Sequence, residues 1–377
     1  MKIGIVCYPT FGGSGVVATE LGMALANKGH EVHFITYNLP VRLDFLSHHL
    51  HFHQVDIEEY PLFEYQPYEL ALSSKMVEIV EKHNLEVLHV HYAIPHAYAA
   101  YMAKQMLKEK GIAIKVVTTL HGTDITLVGS HPTYKTAVEF SINNSDVVTA
   151  VSNDLKKTTN KLFNIKKDIQ VIYNFIDTEK YDKAHEQKCR RIAVAKPEER
   201  ILTHISNFRP VKRVEDVVEI FYRVQKEIPS KLLLIGEGPD RVKAEKLVEK
   251  YKISERVLFL GNSSEVSKIL CYTDIFLLPS QTESFGLAAL EAMAAKSAVI
   301  STNTGGLPEV NIHGETGYLS NLGDVDNMAK NAISILKDDA ILENFKNNAR
   351  EHTKRFSLEN ILPVYEDIYK SCYKTKV

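Results

Sequence analysis

The chain reads as an α/β protein built from two successive doubly wound, Rossmann-like domains that face each other across a cleft. Three observations lead there. Short apolar runs bounded by turn residues, such as Ile3-Gly-Ile-Val-Cys7 and Asp274-Ile-Phe-Leu-Leu-Pro279, have the pattern of strands buried on both faces. Helix-forming stretches alternate with these runs, as in a parallel sheet with crossover helices. The length of 377 residues exceeds one ordinary core, and the β/α series restarts at Ile201 after a polar, charged stretch. The boundaries expected are residues 1–175 for the first domain, 176–199 for a linker and 200–356 for the second domain. A last helix within 357–377 is expected to pack back on the first domain.

An apolar content of 45% with 24% charged residues is that of a soluble globular protein. A net charge of −2 gives no overall basic field, so composition offers no support for nucleic acid as a partner, and none is expected. Cys7, Cys189, Cys271 and Cys372 form no C-x-x-C pair. They read as reduced thiols and imply no zinc site. The N-terminus enters a strand at once, without a signal-peptide pattern, and no apolar run approaches the roughly 20 residues of a membrane span. The expected location is cytoplasmic; the sequence leaves a homo-oligomer open.

In the first half, strand Ile3–Cys7 is followed by Tyr8-Pro-Thr-Phe-Gly-Gly-Ser-Gly15 and a helix ended by Gly29. A glycine-rich turn at a helix N-terminus lets an anion approach backbone N–H groups, so Gly13 and Ser14 are candidates. Tight turns also need glycine for steric reasons alone. Leu85–His91 and Lys115–Leu120 are further strands. Ligands in open α/β sheets bind just past the carboxyl ends of strands, which makes Tyr92, Thr119 and His121 candidates by location. Among 16 histidines, His121 stands out because a strand delivers it and a glycine follows. His48, His49, His51 and His53 are expected on the surface or in loops, and His89 and His91 in structural roles. Ser152-Asn-Asp-Leu is a helix-start pattern, and Asn153 is either a capping residue or a substrate contact.

In the second half, strand Ile201–Ser206 leads into Asn207-Phe-Arg-Pro-Val-Lys-Arg213. Arg209, Lys212 and Arg213 crowd positive charge at a helix start where the dipole is already positive, an arrangement that suits a bound diphosphate. Ser206 and Asn207 share that loop, and Asn262, after strand Arg256–Gly261, borders a candidate base site. Glu283-Ser-Phe-Gly-Leu-Ala-Ala-Leu-Glu291 joins a buried strand to a strong helix former. Its small-residue loop leaves N–H groups for an anion. Two carboxylates beside a phosphate fit hydroxyl acceptors better than phosphate ligands, although two glutamates alone read more simply as solvated residues. The surroundings of Glu291, all Ala, Leu and Met from 288 to 294, argue against the simple reading.

Taken together, Gly12-Gly-Ser-Gly15, His121-Gly-Thr-Asp124, Arg209 with Lys212, Glu283-x7-Glu291 and Gly305-Gly-Leu-Pro-Glu309 resemble the retaining GT-B glycosyltransferases of family 4. The resemblance covers nearly the whole chain. Within the family, Cys7–Glu20, Thr118–Thr126 and Tyr173–Asp177 are similar to the enzymes of bacillithiol biosynthesis that move N-acetylglucosamine from UDP to the hydroxyl of L-malate with retention. By position, the resemblance implies that Glu291 binds ribose hydroxyls and Glu283 the donor sugar. It assigns the backbone of Phe285, Gly286 and Leu287 to the diphosphate and Ser284 to the donor, with Arg209 and Lys212 neutralising the leaving UDP. His121 is placed near the reacting carbon, and Ser14, Tyr92, Thr119 and Asn153 near the acceptor. It implies same-face attack with no metal or other cofactor. The chain departs from many members in the spacing of Arg209 and Lys212, which are only three apart. Another acceptor (an inositol phosphate, lipid or glycan) and a non-catalytic nucleotide-sugar-binding protein are the alternatives.

Overall fold

The computed structural model describes all residues except 11, 45–46, 59–60, 187–190, 264 and 375–377. It divides into two compact units, Met1–Asn174 with Glu359–Val377, and Phe175–Leu358. In the first, strands β1 (Lys2–Val6), β2 (Glu31–Thr36), β3 (Leu50–Gln54), β4 (Val87–His91), β5 (Lys115–Leu120), β6 (Val147–Ala150) and β7 (Ile169–Val171) form one sheet. Its order is β3-β2-β1-β4-β5-β6-β7, and every pairing is parallel. The second unit holds β8 (Arg200–Ile205), β9 (Ser230–Ile235), β10 (Val257–Gly261), β11 (Ile275–Leu278), β12 (Ala298–Thr302) and β13 (Gly317–Ser320). Their order is β10-β9-β8-β11-β12-β13, again wholly parallel.

The two Rossmann-like sheets are thus as the sequence pattern predicts. Central strands β4 and β12 are buried at every residue, while the edge strands β3 and β10 are mostly half-exposed. This is why the central strands read as unbroken apolar runs and the edges do not. In the second unit, helix Val214–Glu227 buries Val214, Val217, Val218, Phe221 and Val224, an i, i+3, i+4, i+7 stripe, against the sheet. Each sheet order reverses once, between β1 and β4 and between β8 and β11. In open α/β sheets such a reversal, outside the carboxyl ends of the strands, is where ligands bind.

Three expectations are revised. The segment expected as a linker carries a helix, Thr178–Glu186, within the second unit. His51 and His53, expected on the surface or in loops, lie half-buried on β3. The alternation in Leu50-His-Phe-His-Gln54 has strand period, but its imidazoles count as polar and hide it. Cys7 and Cys372 are free and buried, but Cys271, expected as a reduced thiol, is disulfide-bonded; Cys189 lies outside the described residues. Among the described residues, no helix is long and apolar enough to cross a membrane.

The last helix, Leu358–Lys374, buries Tyr365 and Tyr369 in the first unit. The Tyr369 hydroxyl meets His89 Nδ1 at 2.7 Å, and Glu366 meets His30 Nε2 at 2.8 Å. His89, on the fully buried β4, has the structural role expected of it.

Burial holds His89 at about 3 and His96 at about 4, and His91 well below the ordinary imidazole value. The unfolded chain takes up these protons below about pH 6.5 and the folded chain does not, so stability rises with pH across that window. Asp124, whose buried carboxyl is pushed up to about 6, acts in the opposite sense, but it stands against several buried imidazoles, among them His121 and His204 as well. The unfolding temperature is therefore expected to be flat from pH 8 to about 6.5 and to fall progressively towards pH 4. A thermal-unfolding series that is level down to about pH 4.5 would contradict this.

Candidate functional site

The second unit assembles its candidate residues at the β8/β11 reversal. His204, buried on β8, donates from Nδ1 to the Leu277 carbonyl at 2.8 Å. That fixes the tautomer: Nε2 accepts from the Ser206 hydroxyl at 2.8 Å, and Ser206 Oγ in turn accepts the Phe208 N–H at 3.2 Å. Ser206 therefore shapes the turn that presents the exposed Asn207 and Arg209. A short 3₁₀ turn, Pro210–Lys212, follows. It is tied to the β11 loop by the Gln281 N–H, which donates to the Val211 carbonyl at 2.7 Å.

The three clustered cations are sorted by their partners. Lys212 Nζ pairs with Glu283 Oε1 at 2.6 Å, and the Ser280 hydroxyl donates to the same oxygen at 2.9 Å. Arg213 forks onto Asp216, at 2.6 and 3.1 Å, and so stabilises the start of its own helix. Arg209 is exposed and makes no ion pair among the described residues. Of Lys212 and Arg213, it is Lys212 that lies on the Glu283 loop.

That loop is held backbone to backbone. Gly305 has φ +59°, and a Cβ there would fall 2.0 Å from the Glu283 carbonyl oxygen. The Gly306 N–H donates to that same oxygen at 2.8 Å. Gly286 has φ +98°, and its missing Cβ leaves room for Leu307, which would otherwise stand 2.6 Å away. From Gly286 the helix Leu287–Ala294 starts with no side-chain cap and no acidic residue in its first turn. Its first N–H groups, with Phe285, Gly286 and Leu287 at the entrance, are left without a side-chain cap, the arrangement that suits an anion. Phe285 is buried against Phe356, ring centroids 5.6 Å apart, and Ser284 is half-buried. Glu291 is buried in this helix, one turn further on. Asn262 stands apart: it is exposed beyond the edge strand β10. Sequence reasoning passed over His204 and Ser280; a Ser three residues before the loop glutamate was the available signal for the latter.

The first unit builds a second grouping at its own reversal. Helix Gly13–Asn27 also begins without a side-chain cap or a first-turn acid. Ser14 Oγ lies 2.7 Å from the Tyr92 hydroxyl, joining the β1 and β4 loops. The Tyr92 N–H donates to the Thr119 carbonyl at 2.9 Å. His121 Nε2 is 2.8 Å from His91 Nδ1, and its ring sits 5.3 Å from that of Tyr92. Burial, then the neighbouring His96, push His121 down to about 3, so it is a neutral hydrogen-bonding group. Thr119 is fully buried, its hydroxyl 2.7 Å from both His89 Nε2 and Thr149 Oγ1, and it meets the grouping only through its carbonyl. Asn153 is exposed and donates to the Tyr173 hydroxyl at 2.9 Å. Asp124 was missed as an organiser: its carboxylate accepts the N–H groups of Ala93 at 2.8 Å and Gly122 at 2.9 Å, joining the β4 and β5 loops. A surface pocket lined by Arg191, Cys271, Asp274 and Lys346 shares no residue with either grouping.

Chemically, the second unit offers cations, an open helix terminus and two carboxylates. The first offers hydroxyls, a neutral imidazole and a second open helix terminus. Residues 11–180 match the family model described as Glycosyltransferase Family 4, and residues 186–352 that of Glycosyl transferases group 1. The N-acetyl-alpha-D-glucosaminyl L-malate synthase of Bacillus anthracis is 50% identical over 370 residues, 98% of this chain and 96% of its own. A 2-deoxystreptamine N-acetyl-D-glucosaminyltransferase of Niallia circulans is 33% identical over 159 residues, 40% of this chain and 41% of its own. Among solved structures, Anabaena HepE in complex with UDP and glucose superposes with a TM-score of 0.81 at 18% identity, over 98% of this chain and 100% of that one. At that identity the likeness shows the fold alone.

Gly305→Ala would force the Glu283 loop away from its carbonyl contact. The expected loss is at least about 2 kcal/mol, a fall in unfolding temperature of roughly 4–8 °C. Differential scanning calorimetry checks it; an unchanged midpoint would show that the loops do not depend on this contact.

Proposed function

The chain belongs to glycosyltransferase family 4, and from that premise we propose that it moves N-acetylglucosamine from UDP-N-acetylglucosamine to the hydroxyl of L-malate, with retention at the anomeric carbon, as the first step of bacillithiol biosynthesis in the cytoplasm. The observation that carries the substrate assignment is the identity with the B. anthracis synthase along nearly the whole chain. The donor is held by the second unit. The N–H groups at Phe285, Gly286 and Leu287 receive the diphosphate, Ser206, Asn207, Ser284 and Asn262 border the nucleotide, and Glu291 accepts from ribose hydroxyls. Glu283, oriented by Ser280 and Lys212, accepts from sugar hydroxyls.

Malate is a dicarboxylate, and the uncapped start of helix Gly13–Asn27 suits one of its carboxylates. Gly13 lets the ligand approach that backbone, and the linked Ser14–Tyr92 hydroxyls, with Asn153 at the margin, orient the acceptor. Thr119 acts by fixing the backbone of Tyr92. In the transfer, the malate oxygen bonds to the anomeric carbon on the face from which UDP departs. The bond from that carbon to the phosphate oxygen breaks, and the malate proton passes to the departing phosphate. Negative charge grows on UDP, so Arg209 and Lys212 stabilise the transition state more than the ground state, with no metal in this scheme. Neutral His121 is a hydrogen-bonding partner of the sugar near the reacting carbon.

Purified protein with UDP-N-acetylglucosamine is expected to release UDP far faster with L-malate than without it, giving an α-configured product by NMR. No malate-dependent release would sink the acceptor assignment, and release with an inositol phosphate, lipid or glycan instead would reassign it. Tight donor binding with no turnover on any acceptor would point to a binding protein. Arg209→Ala is expected to lower kcat about 100-fold with an unchanged unfolding temperature; a kcat within a factor of two would remove Arg209 from the scheme.

A further inference from the structure

Away from both loop groupings, four imidazoles and a carboxylate meet on one face of the first unit. In the parallel register of β2 and β3, His33 pairs with His51 and Ile35 with His53. Strand period then sets Glu31 and His33 beside His51 and His53 on one face. Helix Tyr68–His83 adds His83 from its last turn. His33 is fully buried, and His51, His53 and His83 are half-buried at the sheet edge.

One ligand atom from each of His33, His53 and His83 lies within 4.8 Å of the other two. His33 Nδ1 is 2.8 Å from His53 Nε2, and the His83 ring centroid is 4.5 Å from that of His33 and 5.2 Å from that of His53. On the other side of His33, Nε2 is 3.1 Å from Glu31 Oε1, and His51 Nε2 approaches the same oxygen at 3.8 Å. A carboxylate only accepts, so His33 carries its proton on Nε2 and turns a lone pair on Nδ1 towards His53. This carboxylate–imidazole pairing is the one that orients metal-bound histidines. The buried His83 Nε2 has no hydrogen-bond partner among the described residues, so its lone pair is not committed elsewhere.

We propose that His33, His53 and His83, with Glu31 orienting His33, form a site for one zinc-class divalent ion. The donor set is nitrogen-rich, which suits Zn²⁺, Co²⁺ or Ni²⁺ and not Mg²⁺ or Ca²⁺. At metal–nitrogen distances of about 2.0–2.1 Å, tetrahedral ligands stand roughly 3.3 Å apart. Binding therefore opens the His33–His53 contact by about half an ångström and moves the His53 proton to Nδ1. Edge strand β3 and the half-buried His53 accommodate that. The cations Lys2, Lys75 and Lys82 face the cluster and oppose a dication. Glu31 and the carbonyl end of helix Tyr68–His83 offset them. The bound ion would clamp the edge strand to the helix, remote from the proposed transfer.

The test uses tag-free, full-length protein stripped with a chelator, titrated with Zn²⁺ against a chromophoric competitor and, separately, with Co²⁺. The expected result is one equivalent of Zn²⁺ bound, a rise in unfolding temperature, and visible Co²⁺ bands without sulfur charge-transfer absorption. His53→Gln and His83→Gln should each weaken Zn²⁺ at least ten-fold, Glu31→Gln by about 10–100-fold, and His49→Gln not at all. Equal affinity in the two ligand variants would overturn the site. If those variants do not fold, the wild type decides: no stoichiometric Co²⁺ uptake, or bands with sulfur character, overturns it too.

Discussion

The candidate donor site depends on a contact between two stretches of backbone. Because Gly305 carries no side chain, the loop after β12 lies directly on the Glu283 carbonyl, and Gly306 closes it with a hydrogen bond of 2.8 Å. Any side chain at Gly305 would lift one loop off the other. From this contact follow the direction of the Glu283 carboxylate, the entry of the chain into helix Leu287–Ala294, and the aim of that helix's uncapped N–H groups. The Thr302 and Thr304 hydroxyls reinforce it by donating to the Ser280 carbonyl at 2.7 and 3.3 Å. A site held by main chain is rigid before any ligand arrives, which is what preorganised charge stabilisation requires.

Electrostatics then divides the work among neighbouring cations. The sequence clusters Arg209, Lys212 and Arg213, and a cluster alone says little about which of them reaches a ligand. The structure separates them by partner: Arg213 serves its own helix start through Asp216, Lys212 is held by Glu283, and Arg209 stays exposed. The first unit shows a parallel economy, with Asp124 joining two loops through backbone N–H groups and leaving Ser14, Tyr92 and His121 gathered at the sheet reversal.

Much of the fold was legible because its central strands are apolar on both faces, so runs such as Val87–His91 and Ala298–Thr302 stand out from their polar flanks. The edge strand β3 was not, because two of its five residues are histidines and edge strands lose the apolar signature. At the site, the loop Glu283–Leu287 was legible from strand, small residues and helix in succession. The Lys212–Glu283 pair was not, since it joins residues 71 apart in the chain. Thr119 shows the opposite failure. Its place at a strand end suggested a ligand contact, yet its hydroxyl faces His89 and Thr149 inside the core. A residue's position along a strand predicts which end it occupies; the face to which its side chain points depends on neighbours that only the sheet order supplies.

The account rests on the nucleotide being bound at the β8/β11 reversal of the second unit. Calorimetric titration of UDP into the wild type and into Glu291→Gln tests that most directly. The account predicts at least a ten-fold weaker Kd for the variant, about 1.4 kcal/mol, with its unfolding temperature close to that of the wild type. Equal affinity for UDP in the two folded proteins would contradict it.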